Sequence, residues 1–312
     1  MSEMIEVLRQ VRLALQKQDY PAAISGLEQA AQAAREAGDG AAVARHLGNL
    51  GLIYHRLGMA DQALNCFADA LDAARSENDR LTEDGLLGNM GNILREIGRY
   101  DDAIQFLNQA LLIAQEVGDV RGRGIWLSNL GLVYDDLNQP QEAIPLHERA
   151  IAVARELEDR RGLAIRLGNL GNSYVTLGAY TQAIPIFIEA APIYRELGDQ
   201  AALAQRLGVI GNLYAAMGRS AESRRERLAH FGQALDYYGQ TLEIAQALSD
   251  GLSAAELTRA IGGVQLEVGA LDLASAALDS AARQFERLGR AEQAQEIRTL
   301  LATLHGSANN HL

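Results

Sequence analysis

The stretch Leu47-Gly48-Asn49-Leu50-Gly51 returns as Leu87-Gly88-Asn89-Met90-Gly91, Leu127-Ser128-Asn129-Leu130-Gly131 and Leu167-Gly168-Asn169-Leu170-Gly171, each copy 40 residues after the last. It fades to Leu207-Gly208-Val209-Ile210-Gly211. A fixed period of this length marks stacked helical units, each burying its apolar face only against its neighbours. Within one unit, Leu47, Leu50, Gly51, Tyr54 and Leu57 fall at offsets 0, 3, 4, 7 and 10, a helical stripe. Gly58 suits a helix end in the left-handed conformation, and Ala63, Phe67 and Ala70 continue the stripe on a second helix. That helix closes near Asn78-Asp79, where other units place Gly38-Asp39, Gly118-Asp119 and Gly198-Asp199. Each such glycine ends a helix and each Asp is placed to cap the next.

These residues resemble the tetratricopeptide repeat family. Its signature is Leu-Gly-x-x-Tyr, then Ala, a large apolar residue and Ala. Leu50, Gly51, Tyr54, Ala63, Phe67 and Ala70 meet it, as do Leu170, Gly171, Tyr174, Ala183, Phe187 and Ala190. Met90, Gly91, Leu94, Ala103, Leu107 and Ala110 meet it less fully. The resemblance implies an all-α fold, a right-handed α-solenoid of about seven helix-turn-helix units with a C-terminal capping helix. The family's usual unit is about 34 residues, so the present one is a long variant, similar to kinesin light chains, Pins-type adaptors and bacterial repeat proteins. The expected units are about 3–38, 41–78, 81–118, 121–158, 161–198, 201–250 and 253–289, in a single domain over 1–305. A polar helix at 291–304 is expected to cap the end, with a frayed tail at 306–312.

The spacing breaks once. Gly218 to Gly269 is 51 residues rather than 40, an insertion of 11. Eleven residues are about three helical turns, which predicts that the second helix of unit six lengthens without rotating its packing face. The extra material, about Ser220 to His230, is charged and is expected to stand clear of the body, either as a solvated helix or as a docking arm. Pro145, Pro185 and Pro192 lie inside second helices and are expected to kink them.

Apolar residues make up 48% of the chain and aromatics 5%, so alanine and leucine carry the packing. A net charge of -12 argues against nucleic acid and anionic membranes as partners. The single cysteine, Cys66, excludes an internal disulfide and fits a reducing compartment. The start, MSEMIEVLRQVRLALQ, reads as neither a secretory signal nor a membrane span, so the expected location is cytoplasmic. Lys17 is the sole lysine, a composition read as that of a GC-rich bacterium. The six histidines form no metal-binding spacing, and neither a nucleophile elbow nor a phosphate loop occurs. No catalytic residue, metal or cofactor is expected.

Binding is the expected work. Asn49 lies about 200° around its helix from Leu47, away from the packing stripe. By the geometry the resemblance implies, Asn49, Asn89, Asn129 and Asn169 form a ladder along a concave groove, with Asn92, Asn172 and Asn212 one turn later. An amide donor and acceptor together match the backbone of an extended peptide, and in the family asparagines at these positions hold peptides. Gly48, Gly88 and Gly168 beside the ladder would let a ligand backbone come close. Alternatively, the asparagines bond to neighbouring helices or recur through duplication alone. Arg9, Arg12, Arg45, Arg56 and Arg95 make the N-terminal part of the groove basic, a match for carboxylates; scattered solvated arginines are the alternative. Trp126 reads as packing. The leading expectation is an adaptor binding an extended peptide, acidic or C-terminal, of another protein. The alternatives are a regulatory receptor for a small peptide or metabolite, with Arg224–Arg227 as its output surface, and a self-associating scaffold.

Overall fold

A computed structural model describes residues 2–309, and the described chain is entirely helices and short turns. α1 (Ser2–Gln16), α2 (Tyr20–Ala37), α3 (Gly40–Arg56), α4 (Ala60–Ser76), α5 (Arg80–Glu96), α6 (Tyr100–Val117), α7 (Val120–Asp136) and α8 (Pro140–Glu156) form one compact unit, Met1–Asp159. A second, Arg160–Leu312, holds α9 (Arg160–Thr176), α10 (Tyr180–Glu196), α11 (Gln200–Ser220), α12 (Arg224–Ala247), α13 (Gly251–Glu267), α14 (Leu271–Arg287) and α15 (Ala291–Asn309). Helix α15 runs past the cap expected to end at 304; residues 310–312 of the expected tail lie outside the described residues.

The turns follow from two residues each. Gly38, Gly118 and Gly198 sit at φ of +69°, +73° and +72°, and Asn78 takes the same left-handed role at +56°. The next residue then caps the following helix. Asp39, Asp79, Asp119 and Asp199 accept from the backbone N–H of Ala42, Thr82, Gly122 and Ala202 at 2.9, 3.0, 2.9 and 3.1 Å. Each cap contributes about 1 kcal/mol. Gly58 ends α3 at φ +73°, the left-handed turn that its place in the repeat requires.

Each helix pair is held by a glycine set against a large side chain. A Cβ on Gly51 would meet the ring of Phe67 at 2.8 Å, and Phe67 is fully buried. The same contact joins Gly91 to Leu107, Gly131 to His147, Gly171 to Phe187 and Gly262 to Leu278. Ala63, Ala70, Ala103, Ala110, Ala183 and Ala190 are completely enclosed around these pairs, so small side chains flank each glycine contact. Burial of each large side chain stabilises its pair by roughly 1.5–3 kcal/mol.

The insertion is distributed differently from the expectation. Helices α3, α5, α7, α9 and α13 have 17 residues, whereas α11 has 21 and α12 has 24. About one turn thus goes to the first helix and two to the second. Two local features fix this division. Ser223 caps α12, its hydroxyl accepting from Glu226 N–H at 3.1 Å. Gly218, in other units the place of the left-handed turn, stays helical and receives the ring of Phe231, a Cβ there meeting it at 2.7 Å. Phe231 is fully buried, clustered with Ala215, Ala234, Tyr238 and Val264. The lengthened hairpin therefore adds a second glycine–aromatic layer instead of standing clear, with residues 222–229 as an unbroken exposed run at its tip.

Candidate functional site

In the first unit α3 packs beside α5 and α5 beside α7, which brings the equivalent positions Asn49, Asn89 and Asn129 onto neighbouring helices. Asn49 is exposed and the other two are half-buried; within the described structure none of the three side-chain amides is hydrogen-bonded. Asn92 is occupied: its Nδ2 donates to Glu96 at 2.9 Å, while the other Glu96 oxygen meets His55 Nε2 at 2.6 Å. In the second unit Asn172 is exposed and Asn169 half-buried, the Asn169 carbonyl accepting from the Ser173 hydroxyl at 3.1 Å. Asn212 accepts the Tyr238 hydroxyl at 2.7 Å. Tyr238 stands where Phe67 and Phe187 stand, against Gly211, and a buried phenol requires a partner. Asn212 supplies it and has only its amide N–H groups left.

The arginines divide in the same manner. Arg9 pairs with Glu6 at 3.3 Å and Arg95 with Asp136 at 2.8 Å. Among the described residues Arg12, Arg45 and Arg56 make no ion pair. Arg12 and Arg45 converge with Asn49 on a pocket of about 530 Å³ between α1 and α3, walled by Leu8, Val11, Leu15 and Leu27. Buried His46 also lines it; burial, and then the charge of Arg45, push its imidazole below the usual range, so it is neutral near pH 7. Two guanidinium groups over an apolar wall suit a carboxylate carried on an apolar body.

The glycines beside the ladder have a different role from the one expected. The Gly88 position is filled by the ring of Trp126 from α7. A Cβ on Gly48 would meet Leu86 Cδ2 at 3.3 Å, and one on Gly168 would meet the Arg206 guanidinium at 3.4 Å. The space saved by each missing side chain is taken by the protein itself, not left for a ligand backbone. Trp126 further donates its Nε1–H to Asp84 at 2.5 Å, and Asp84 is buried, its carboxyl pushed up to about 6 by desolvation despite that bond, with the neighbouring Asp119 adding to the rise. This contact joins residues 42 apart, and His147 Nε2 meets Asp135 at 2.9 Å across 12. Packing was legible for Trp126, but neither polar partner was signalled by sequence spacing.

Among the described residues no group of three or more metal-ligating side chains converges, and no helix is long and apolar enough to cross a membrane. A tetratricopeptide repeat family model matches residues 3–76 and 83–156, and a second model of the same description matches 163–197. No curated protein sequence matches the chain. Among solved structures, the apo form of RapI aligns with a TM-score of 0.64 at 16% identity, over 91% of this chain and 99% of that one. BtubC (BKLC) from P. vanneervenii aligns at 0.62 and 20%, over 78% and 92%. A Rap protein complexed with Competence and Sporulation Factor aligns at 0.52 and 15%, over 100% and 99%. At these identities the likeness is one of fold.

Proposed function

The chain belongs to the tetratricopeptide repeat family, and from that premise we propose that it is a non-catalytic adaptor holding an extended peptide of a partner protein. The carrying observation is the pocket that unites Arg12, Arg45 and Asn49 against leucine and valine walls. In this reading the pocket takes a carboxylate, either a C-terminus or an acidic side chain next to an apolar residue. The unoccupied amides of Asn49, Asn89 and Asn129 then bond the peptide backbone. Arg9, Asn92 and Arg95 are already paired and serve the groove less directly. Asn169, Asn172 and Arg56 remain candidates for contact.

The test is selection of random decapeptides with free C-termini on the full chain, followed by calorimetry. Acidic or carboxylate-ended peptides with an adjacent apolar residue should be enriched. Each amide offers two hydrogen bonds worth about 0.5–1.5 kcal/mol apiece, so Asn89→Ala with Asn129→Ala should weaken binding by roughly one to four powers of ten. Arg45→Glu should weaken it further and reduce its salt sensitivity. Normal binding by the double variant would end the proposal.

A regulatory receptor is the second reading. It draws on the Rap protein of this fold seen with Competence and Sporulation Factor and on the exposed Arg224, Arg225 and Arg227 as an output surface. A receptor must change shape on loading, so a ligand-induced change in proteolysis of α12 separates it from an adaptor. Light scattering of the free chain tests the third reading, self-association.

A further inference from the structure

Between adjacent first helices a large side chain of the later helix covers a glycine of the earlier one. Leu86 covers Gly48, Trp126 covers Gly88 and Arg206 covers Gly168, always 38 residues on. Gly208 continues the glycine series. Gly211 and Gly262 are 51 residues apart, so the counterpart of Arg206 in the next helix is Leu257. Leu257 does not reach. A Cβ on Gly208 would touch only Thr241 Cγ2, at 3.6 Å, and no atom of α13 lies within 4 Å of it. The vacated place is part of a cavity of about 590 Å³ walled by Ala204, Val209, Ala245, Leu248 and Leu257. The insertion lengthening α11 and α12 lies between the two helices whose covering contact is lost.

We infer that this cavity is a specificity pocket for one large apolar side chain, of leucine to tryptophan size, presented by an extended peptide. The chemistry of the occupant is read from the protein's own plugs: Leu86 and Trp126 fill the same place with apolar groups, and the third plug, Arg206, lays its guanidinium over the Phe187 ring, 5.6 Å from the centroid. Beside Gly208 the wall is alanine, valine and leucine, where a polar group would lose hydration; the polar lining, Gln205, Thr241, Asp250 and Ser253 among it, suits the backbone that carries the side chain. The volume lies within the usual range for ligand sites and leaves room for backbone beside the side chain. Asn212 also lines it, its oxygen held by Tyr238 and its N–H groups available to a peptide carbonyl. Exposed Glu256 and Arg259 border the cavity and, among the described residues, make no ion pair. They can meet the polar backbone that an apolar side chain brings with it. The source of the side chain rests on the groove being a peptide site; the preference of the cavity for an apolar group does not.

The experiment titrates N-acetyltryptophanamide into the isotope-labelled full chain and follows backbone amide shifts. Saturable shifts should gather at Gly208, Thr241 and Leu257, while N-acetylglycinamide should leave them unmoved. Gly208→Leu fills the cavity and should weaken the probe at least tenfold without lowering the melting temperature. Gly208→Ala stiffens the same helix, keeps most of the space, and should bind within twofold of the parent. Ala204→Leu, one turn earlier on the same wall, is a second filling variant should the first fold poorly. Asn89→Ala with Asn129→Ala, in the other unit, should leave the probe unaffected, so a failure of the groove reading shows on the peptide alone. Equal binding by the filled variants, shifts spread over both units, or no saturable shift at all would overturn the inference.

Discussion

From α3 to α8 and from α11 to α13 the chain uses one helical phrase to make two kinds of joint. In the first region the glycines of the repeated phrase are met by large side chains: Phe67 on Gly51 within a pair, Leu86 on Gly48 and Trp126 on Gly88 between pairs. In the second, the within-pair contact is doubled, Tyr238 on Gly211 and Phe231 on Gly218, while the between-pair contact at Gly208 is open. Eleven residues separate the two outcomes. An insertion of whole turns keeps the packing phase of a helix, and here it accompanies a glycine that the next first helix leaves uncovered. Tight joints make a rigid wall, and the open one leaves a place for something else.

The largest test of this contrast removes the aromatic side chains. Phe67→Ala should destabilise the first unit by about 3–5 kcal/mol, the range for emptying a closed core site. Phe231→Ala should cost less than half of that in global denaturation, because its layer can open while Gly211 and Tyr238 stay closed. Equal losses would mean that the extension is integral to the second unit.

Filling the glycines comes next. Gly88→Leu must displace Trp126 and should cost about 1–3 kcal/mol or more. Gly208→Leu enters open space and replaces a helix-weakening glycine, so it should be neutral or stabilising by up to about 1 kcal/mol. Urea melts of the two variants compare the joints directly.

A smaller difference is electrostatic and confined to the first unit. Glu83 and Asp84 are adjacent and both buried, yet they shift oppositely. Burial works to raise Glu83, and the hydrogen bonds and charges of Arg75 and Arg80 outweigh it and hold the carboxyl below its ordinary value. Asp84 is pushed up to about 6 from 3.8. Its protonated form therefore favours the fold, a contribution whole below about pH 4 and lost as pH rises through about 6. Glu83 contributes above its unfolded value and loses that contribution in acid. Asp84→Asn should raise stability at pH 7.5 by about 1–2 kcal/mol and leave it unchanged at pH 4, as measured by denaturant melts across that range. A flat difference would show that Asp84 stays ionised against Trp126.

The smallest effect distinguishes the amides. Asn212→Ala strands the Tyr238 hydroxyl and should cost about 0.5–1.5 kcal/mol, whereas Asn129→Ala should cost nothing measurable. Thermal melts of the two variants read the difference.

What the sequence made legible was whatever repeats. Gly51, Tyr54, Ala63, Phe67 and the Gly-Asp pairs recur at fixed offsets, and those offsets were sufficient for the helix pairs and their turns. Contacts set by one residue in one unit were not legible. Asn212 matches Asn92 and Asn172 in position, and only its neighbour Tyr238 separates their chemistry. The glycines at 48, 88 and 168 looked vacant because the side chains filling them come from the next first helix, 38 residues on. The division of the insertion was hidden for a different reason: three turns can be shared between two helices in several ways without changing the spacing outside them. Phe231 at 13 residues from Gly218 was the available signal, an aromatic in an otherwise charged run.

The covering side chains also bear on how a chain of near-copies finds its own order. Units with nearly the same phrase risk docking on the wrong neighbour while they fold, a characteristic failure of repeat arrays. Here the joints carry different keys: a leucine at Gly48, an indole at Gly88 that must also reach Asp84, a guanidinium at Gly168. A unit exchanged for its neighbour would bring the wrong key to the lock. Identical interfaces would stack in any sequence; these encode an address, and the address is written in the positions where the repeats disagree.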